Sequence, residues 1–182
     1  MNKLPVYKTE GIILKAADWG DLDRLFTIYT RGYGKIQARA ISARKKGSKL
    51  NGLLQSFTYG KFLLAKSKTI DIITDLEVAD SYYFLHSNLA NLGYAFYFSE
   101  LVDKLVTGQE KDDDLWRLIF RAFEVLNQKG SDLPKIKIAF EDKLVEFLGH
   151  GTARHANLAQ RLNYFQSLAG EHINSQKFLA QI

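Results

Sequence analysis

Residues 31–52 read RGYGKIQARAISARKKGSKLNG, and the stretch from Arg31 to Ile70 that they open holds ten Lys/Arg and no Asp or Glu. Gly32 and Gly34 mark a tight turn, since both can take the positive φ that such turns need. Lys35 to Ala43 then alternates. Lys35, Gln37 and Arg39 share one face; Ile36, Ala38 and Ala40 share the other. A strand that is basic on one face and apolar on the other suits a sheet that holds a polyanion. Arg44–Asn51, RKKGSKLN, has no periodicity. It is expected to be a mobile loop whose lysines stay solvated until a phosphate arrives.

The charge distribution sharpens this. The whole chain carries a formal +5, but residues 1–30 balance at zero and the 112 residues after Ile70 hold 11 basic and 16 acidic side chains. About +10 therefore sits on one segment, and a field so concentrated recruits a polyanion, nucleic acid being the usual one. The plainer alternative is a lysine-rich edge that blocks sheet-to-sheet aggregation. Edge protection does not require the exclusion of every acid over 40 residues.

Outward from this stretch the texture is that of strands. Tyr7–Ala17 is one, with Gly11 marking a bulge or a close backbone approach. ADWGDLD (17–23) is a turn, and Arg24–Thr30 is the second strand. The basic strand is the third. A helical turn at Gly52–Gln55 precedes strands Phe57–Ala65 and Thr69–Val78, joined through Lys66, Ser67 and Lys68. Five short strands in so few residues suggest a small barrel of the OB type. OB barrels hold single strands in a basic groove with aromatic platforms. Tyr29, Tyr33, Phe57 and Tyr59 are the candidate platforms, Tyr33 and Tyr59 foremost for base stacking. Packing in the core or rim is the competing reading for each, and the stronger one for Phe57.

From Ala79 the period changes from 2 to 3.6. Leu89, Leu92, Ala95, Phe96, Leu101, Leu105 and Val106 define a helix within Ser87–Val106, with Gly108 as its expected C-cap. Asp112, Asp113 and Asp114 read better as acids at the positive end of the helix Leu115–Leu126 than as metal ligands. Pro134 suits the first turn of a helix reaching Leu148, Gly149 and Gly151 break it, and Ala153–Leu168 is a further helix. The expected fold is α+β in two domains: a five-stranded OB barrel over 1–79 and an α-helical domain over 80–182.

Catalytic chemistry is not indicated. The chain has no cysteine, so disulfides and thiolate zinc sites are excluded. His150 and His155 are five apart with Gly151 between them and do not share a helix face, so no metal site is expected. No phosphate-binding glycine loop ends in Lys-Ser/Thr, and no nucleophile set is visible, so no cofactor is expected. The N-terminal residues show no signal-peptide core and no apolar run reaches the length of a membrane span. The expected setting is the cytoplasm, with no membrane partner.

The segment EGIILKAADWGDLDRLFTIYTRGYGKIQARA (10–40), followed by ARKKGSKLNGLLQSF (43–57), resembles the N-terminal half of RecO, the bacterial recombination mediator family. The matching features are the strand GIIL (11–14), the acidic turn at Asp21, Thr30, the Gly34-Lys35 turn, the basic run to Ser48 and Leu54-Gln55 with Phe57. Their order and spacing over about 50 residues carry the match; beyond residue 80 it rests on helical texture and AFYFSEL (95–101). Three features depart from the family. Many members carry a Cys-rich zinc site in the C-terminal part, the usual member is longer, and Arg39-Ala40 stands where the pattern favours Lys-Gly. The resemblance implies an OB barrel followed by a helical domain in a non-catalytic DNA repair protein. Such a protein binds single- and double-stranded DNA, anneals complementary strands, and works with RecR to load RecA onto DNA coated by single-strand binding protein. It would be cytoplasmic and nucleoid-associated.

The residues assigned to phosphate contact on this reading are Lys35, Arg39, Arg44, Lys45, Lys46 and Lys49, with Arg31 and Lys61 as lesser ones. The resemblance also implies docking of the acidic, apolar tail of single-strand binding protein on the helical domain. An apolar groove beside a basic side chain would serve, and Arg117 and Arg121, near Leu118 and Phe120, are candidates. Solvent-facing arginines on an amphipathic helix are the simpler reading. Two rivals stay open: an RNA-binding OB protein, and an adaptor whose basic loop meets an acidic protein partner.

Overall fold

The computed structural model describes residues 5–150, 157–179 and 181, which fall into two compact units. The first runs to Ser81 and takes in Gly108–Asp112; the second comprises Tyr82–Thr107 and the chain from Asp113 onward.

The first unit is a closed barrel with strand order β1-β2-β3-β5-β4. Its strands are β1 (Val6–Trp19), β2 (Asp23–Thr30), β3 (Gly34–Ala40), β4 (Tyr59–Ala65) and β5 (Asp71–Asp80), with α1 (Lys49–Leu53) between β3 and β4. β1 serves two ladders: Val6–Ile12 pair with β4 and Gly11–Trp19 with β2, and a short parallel contact of Ala38 and Arg39 with Asp71 and Ile72 closes the barrel. Alternation drives Phe26, Ile28, Ile36, Ala38, Phe62 and Leu64 into the interior. β3 alternates as its sequence predicts, but it stops at Ala40, three residues before the expected end.

Gly11 sits where β1 passes between its two partners. A Cβ there would lie 2.8 Å from Ile28 Cγ2, and its partner across the β4 ladder is another glycine, Gly60. The close approach is therefore real, while the bulge falls three residues on, at Leu14, between Ile13 and Lys15. The chain around Phe57 patches that irregularity: Phe57 N–H donates to Ile13 O (2.7 Å) and Ile13 N–H to Thr58 O (3.1 Å).

The second unit contains α2 (Tyr83–Ser87), α3 (Leu89–Leu105), α4 (Asp113–Leu126), α5 (Leu133–Phe147), α6 (Leu158–Ala169) and α7 (Ser175–Leu179). Asn88 caps α3, Asp132 caps α5 ahead of Pro134, and Asn157 with Gln160 forms a capping box on α6. α3 ends at Leu105, so Gly108 is not its C-cap. Leu89 and Phe96, expected on its apolar face, are exposed, while Asn91 is buried and donates to Leu126 O at 2.6 Å. Asp113 and Asp114 occupy the first turn of α4, as expected. Gly151, His155 and the start of the helix expected from Ala153 lie outside the described residues. Among the described residues no helix is long and apolar enough to cross a membrane, and no three His, Asp or Glu side chains group to hold a metal ion.

Glu100 on α3 receives the N–H groups of Asn174 (2.9 Å) and Ser175 (2.7 Å) and the Ser175 hydroxyl, and pairs with Lys104 at 3.0 Å. Burial alone would raise its carboxyl, but these donors outweigh burial and hold it below the ordinary 4.5. A depressed folded-state value means stabilisation present above 4.5 and lost as pH falls through the folded value. Glu100→Gln should therefore cost about 1 kcal/mol at neutral pH, and the difference should shrink as pH falls below 4.5 through the folded value, in urea unfolding run as a pH series. A difference that stays constant with pH would contradict the carboxylate's role.

Candidate nucleic-acid interface

Residues paired across neighbouring strands share a face. On the outside of the barrel, register therefore aligns Trp19 with Asp23, then Ala17 with Leu25 and Arg39, then Lys15 with Thr27 and Gln37, then Tyr29 with Lys35. The face crosses three strands and carries Lys15, Lys35 and Arg39. Its two ends differ. At the β2–β3 turn, the Glu110 carbonyl of Gly108–Asp112 occupies the space where a Gly34 side chain would stand. Tyr29, beside it, is 1 % exposed, and burial with the Asp112 charge pushes its phenol well up. Tyr29 is therefore covered rather than a platform. Phe57 is likewise buried, on a left-handed backbone outside β4.

The opposite end carries the basic loop. It is anchored, not free: Ala43 is buried in the barrel core, Ser42 N–H donates to Asp23 Oδ1 (2.6 Å), and Arg44 N–H donates to Leu22 O (2.8 Å). Arg44–Asn51, expected as a mobile loop, is a chain of turns running into α1; its root is tied by Ala43 and the Ser42 and Arg44 N–H groups, and Leu50 packs against the barrel core. Its cations differ in availability. Arg39 pairs with Asp23 at 2.6 Å, Arg44 with Asp18 at 3.4 Å and Arg31 with Glu10 at 3.1 Å. Lys45, Lys46 and Lys49 are exposed and make no ion pair among the described residues.

The structure thus brings together Arg39, Arg44, Lys45, Lys46 and Lys49. Lys35 lies further along β3. Arg31 and Tyr33 sit at the far end of that strand, where Tyr33 meets the Tyr7 ring edge-on at 4.6 Å. Tyr7 in turn donates to Asp71 (2.5 Å) with Lys66 above its ring. Lys61 and Tyr59 belong to β4, which is not adjacent to β3, and Lys61 stands between Glu10 and Glu77 in register. On α4, Arg117 and Arg121 are exposed, and each pairs with an acid three residues away, Asp114 (2.5 Å) and Glu124 (3.1 Å).

In the sequence Trp19 lies within ADWGDLD, which reads as a turn. β1 continues through it, and register counting from Asp23 would have placed it on the outer face. Arg24, which opens the second expected strand, carries no sign in the sequence of what it meets. Its guanidinium lies 5.4 Å from the Phe26 ring centre and 3.8 Å from Asp18.

The family model for the recombination protein O N-terminal region matches residues 1–82, and that for the C-terminal region matches 86–155. Among curated relatives, the DNA repair protein RecO of Pelotomaculum thermopropionicum is 33 % identical over 81 % of this chain and 57 % of its own length. That of Clostridium novyi is 31 % identical over 81 % and 58 %, and that of Bacillus pumilus 32 % over 78 % and 55 %. The chain thus spans less than three fifths of these relatives. An OB barrel with a basic outer face, a helical unit after it, and both halves matched by the family's own models lead to one assignment: the chain belongs to the recombination protein O (RecO) family.

Proposed function

We propose that the chain is a non-catalytic DNA repair and recombination mediator that binds DNA through the outer face and basic loop of its barrel. The observation that carries this is the trio Lys45, Lys46 and Lys49, held on an anchored loop with no carboxylate partners among the described residues. Partnerless lysines on a fixed support exchange condensed counterions for phosphate contacts at little ordering cost. Such contacts position a strand without reading its bases. That suits annealing of complementary strands, where two polyanions must be brought together whatever their sequence. In the same reading the protein acts in the cytoplasm with RecR to load RecA on strands coated by single-strand binding protein. Arg117 and Arg121 are the weaker part of the proposal, because an acidic tail would have to displace Asp114 and Glu124 from them.

Fluorescent single-stranded oligonucleotide binding across a salt series tests this. The native chain should lose affinity steeply with salt, and a Lys45→Ala, Lys46→Ala, Lys49→Ala variant should have a log–log slope shallower by about two. Absence of binding at low salt, or an unchanged slope, would remove the proposal.

A further inference from the structure

The open end of the outer face carries side chains that phosphate binding leaves unexplained. Trp19 is 43 % exposed, Leu22 46 % and Ile41 49 %. Scattered exposed apolar residues need no account, but a group of large ones is informative. These three surround one anchor point. Trp19 is in register with Asp23, whose carboxylate holds the Arg39 guanidinium and the Ser42 N–H next to Ile41; Leu22 O holds Arg44 N–H. The indole therefore stands at the root of the lysine loop. Arg39 shares its face through Asp23, Lys45 and Lys46 follow Arg44 on the loop, and the nearby Asp18 and Asp23 carboxylates are already ion-paired.

We propose that this end of the face is a subsite for an unpaired nucleobase, stacked on Trp19, with the flanking phosphates held by Arg39, Lys45 and Lys46. The inference rests on the nucleic-acid reading of the same surface and adds strand preference to it. Lysines meet the phosphates of single and double strands alike. A flat aromatic rewards only a strand whose base faces are free, since a duplex buries those faces in its own stack. The excess of cations selects a polyanionic strand over an apolar peptide for the same patch. Tyr29, the other aromatic of this face, is covered, so Trp19 is its exposed ring.

The chain has two tryptophans, which makes stacking directly readable. Trp116 is 6 % exposed on α4 and stacks on Phe120. Titrating the full chain with oligothymidylate should quench tryptophan emission; Trp116→Phe should keep the quench and Trp19→Phe should abolish it. Trp19→Ala should weaken oligothymidylate binding about tenfold and leave binding of a duplex of equal length within about twofold. Undiminished quenching in Trp19→Phe, or equal losses for both strand forms, would overturn the subsite while leaving the basic loop standing. Binding of neither form by the native chain at low salt would overturn both.

Discussion

Glu141→Ala should destabilise the helical unit by about 3 kcal/mol or more, because it takes the buried carboxylate away from Arg161, whose side chain is only 4 % exposed. The Glu141 side chain is fully buried on α5. It accepts from Tyr97 Oη on α3 (2.6 Å), from Lys137 Nζ one turn earlier (2.5 Å) and from Arg161 Nε on α6 (2.7 Å). Arg161 is 3 % exposed and reaches Asp142 at 2.8 Å as well. Burial opposes its charge, but the two carboxylates outweigh burial and raise its pKa further. The Lys137 ammonium also lies 5.0 Å from the Tyr97 ring centre. Remove the carboxylate and Arg161 still has Asp142 and the Ile138 carbonyl (3.3 Å), while Lys137 loses its ion pair and is left against the Tyr97 ring. Arg161 and Phe165 are the buried side chains described on α6, so the ion pair is half of what seats that helix.

A buried pair is costly to break yet often no better than an apolar pair of like volume. The double variant Glu141→Leu, Arg161→Met should therefore be markedly more stable than the sum of its single changes. Urea unfolding followed by circular dichroism gives the cycle. A cost below about 1 kcal/mol for Glu141→Ala would show that the network does not hold α6.

The barrel was readable in the sequence because period-2 alternation and turn residues are local signals, and the basic strand showed which face to inspect. What one dimension concealed is which charges meet. Glu10, Asp18 and Asp23 all precede the basic stretch, so that stretch looks uncompensated. Folding brings them onto Arg31, Arg44 and Arg39, while Lys45, Lys46 and Lys49 gain no carboxylate among the described residues. Tyr29 shows the converse: strand periodicity puts it outside, yet it is buried, and the Asp112 charge about eighty residues later acts on its phenol. Trp19 was concealed by its neighbours, since Asp18, Gly20 and Asp21 have turn chemistry while the strand in fact runs one residue past Asp18. Glu141 had a visible signal, a lone charge among Phe140, Leu144 and Val145 on the buried side of α5, but its partner stands twenty residues on and helical periodicity does not name it.

Gly34→Ala should cost at least about 2 kcal/mol, the sum of a backbone penalty and a steric one. Gly34 has φ +60°, which a Cβ disfavours, whereas Gly32 in the same turn has no positive φ. Thr30 Oγ1 fixes the turn by donating to Gly34 O (2.9 Å) and accepting from Tyr33 N–H (3.1 Å), so the chain cannot relax cheaply. The added methyl would overlap the Glu110 carbonyl, a backbone atom with no rotamer to escape into. Gly47 separates the two costs. Its φ is +84° but nothing lies within 4 Å of a Cβ built there, so Gly47→Ala should show the backbone penalty alone, about 1 kcal/mol. If Gly108–Asp112 lifts to make room, Tyr29 loses the Asp112 charge, and its phenol should titrate nearer the ordinary 10.0 than in the native chain. Denaturant midpoints give the first comparison and an ultraviolet tyrosine titration the second. Equal costs at Gly34 and Gly47, with an unchanged tyrosine titration, would mean that the segment does not press on the turn.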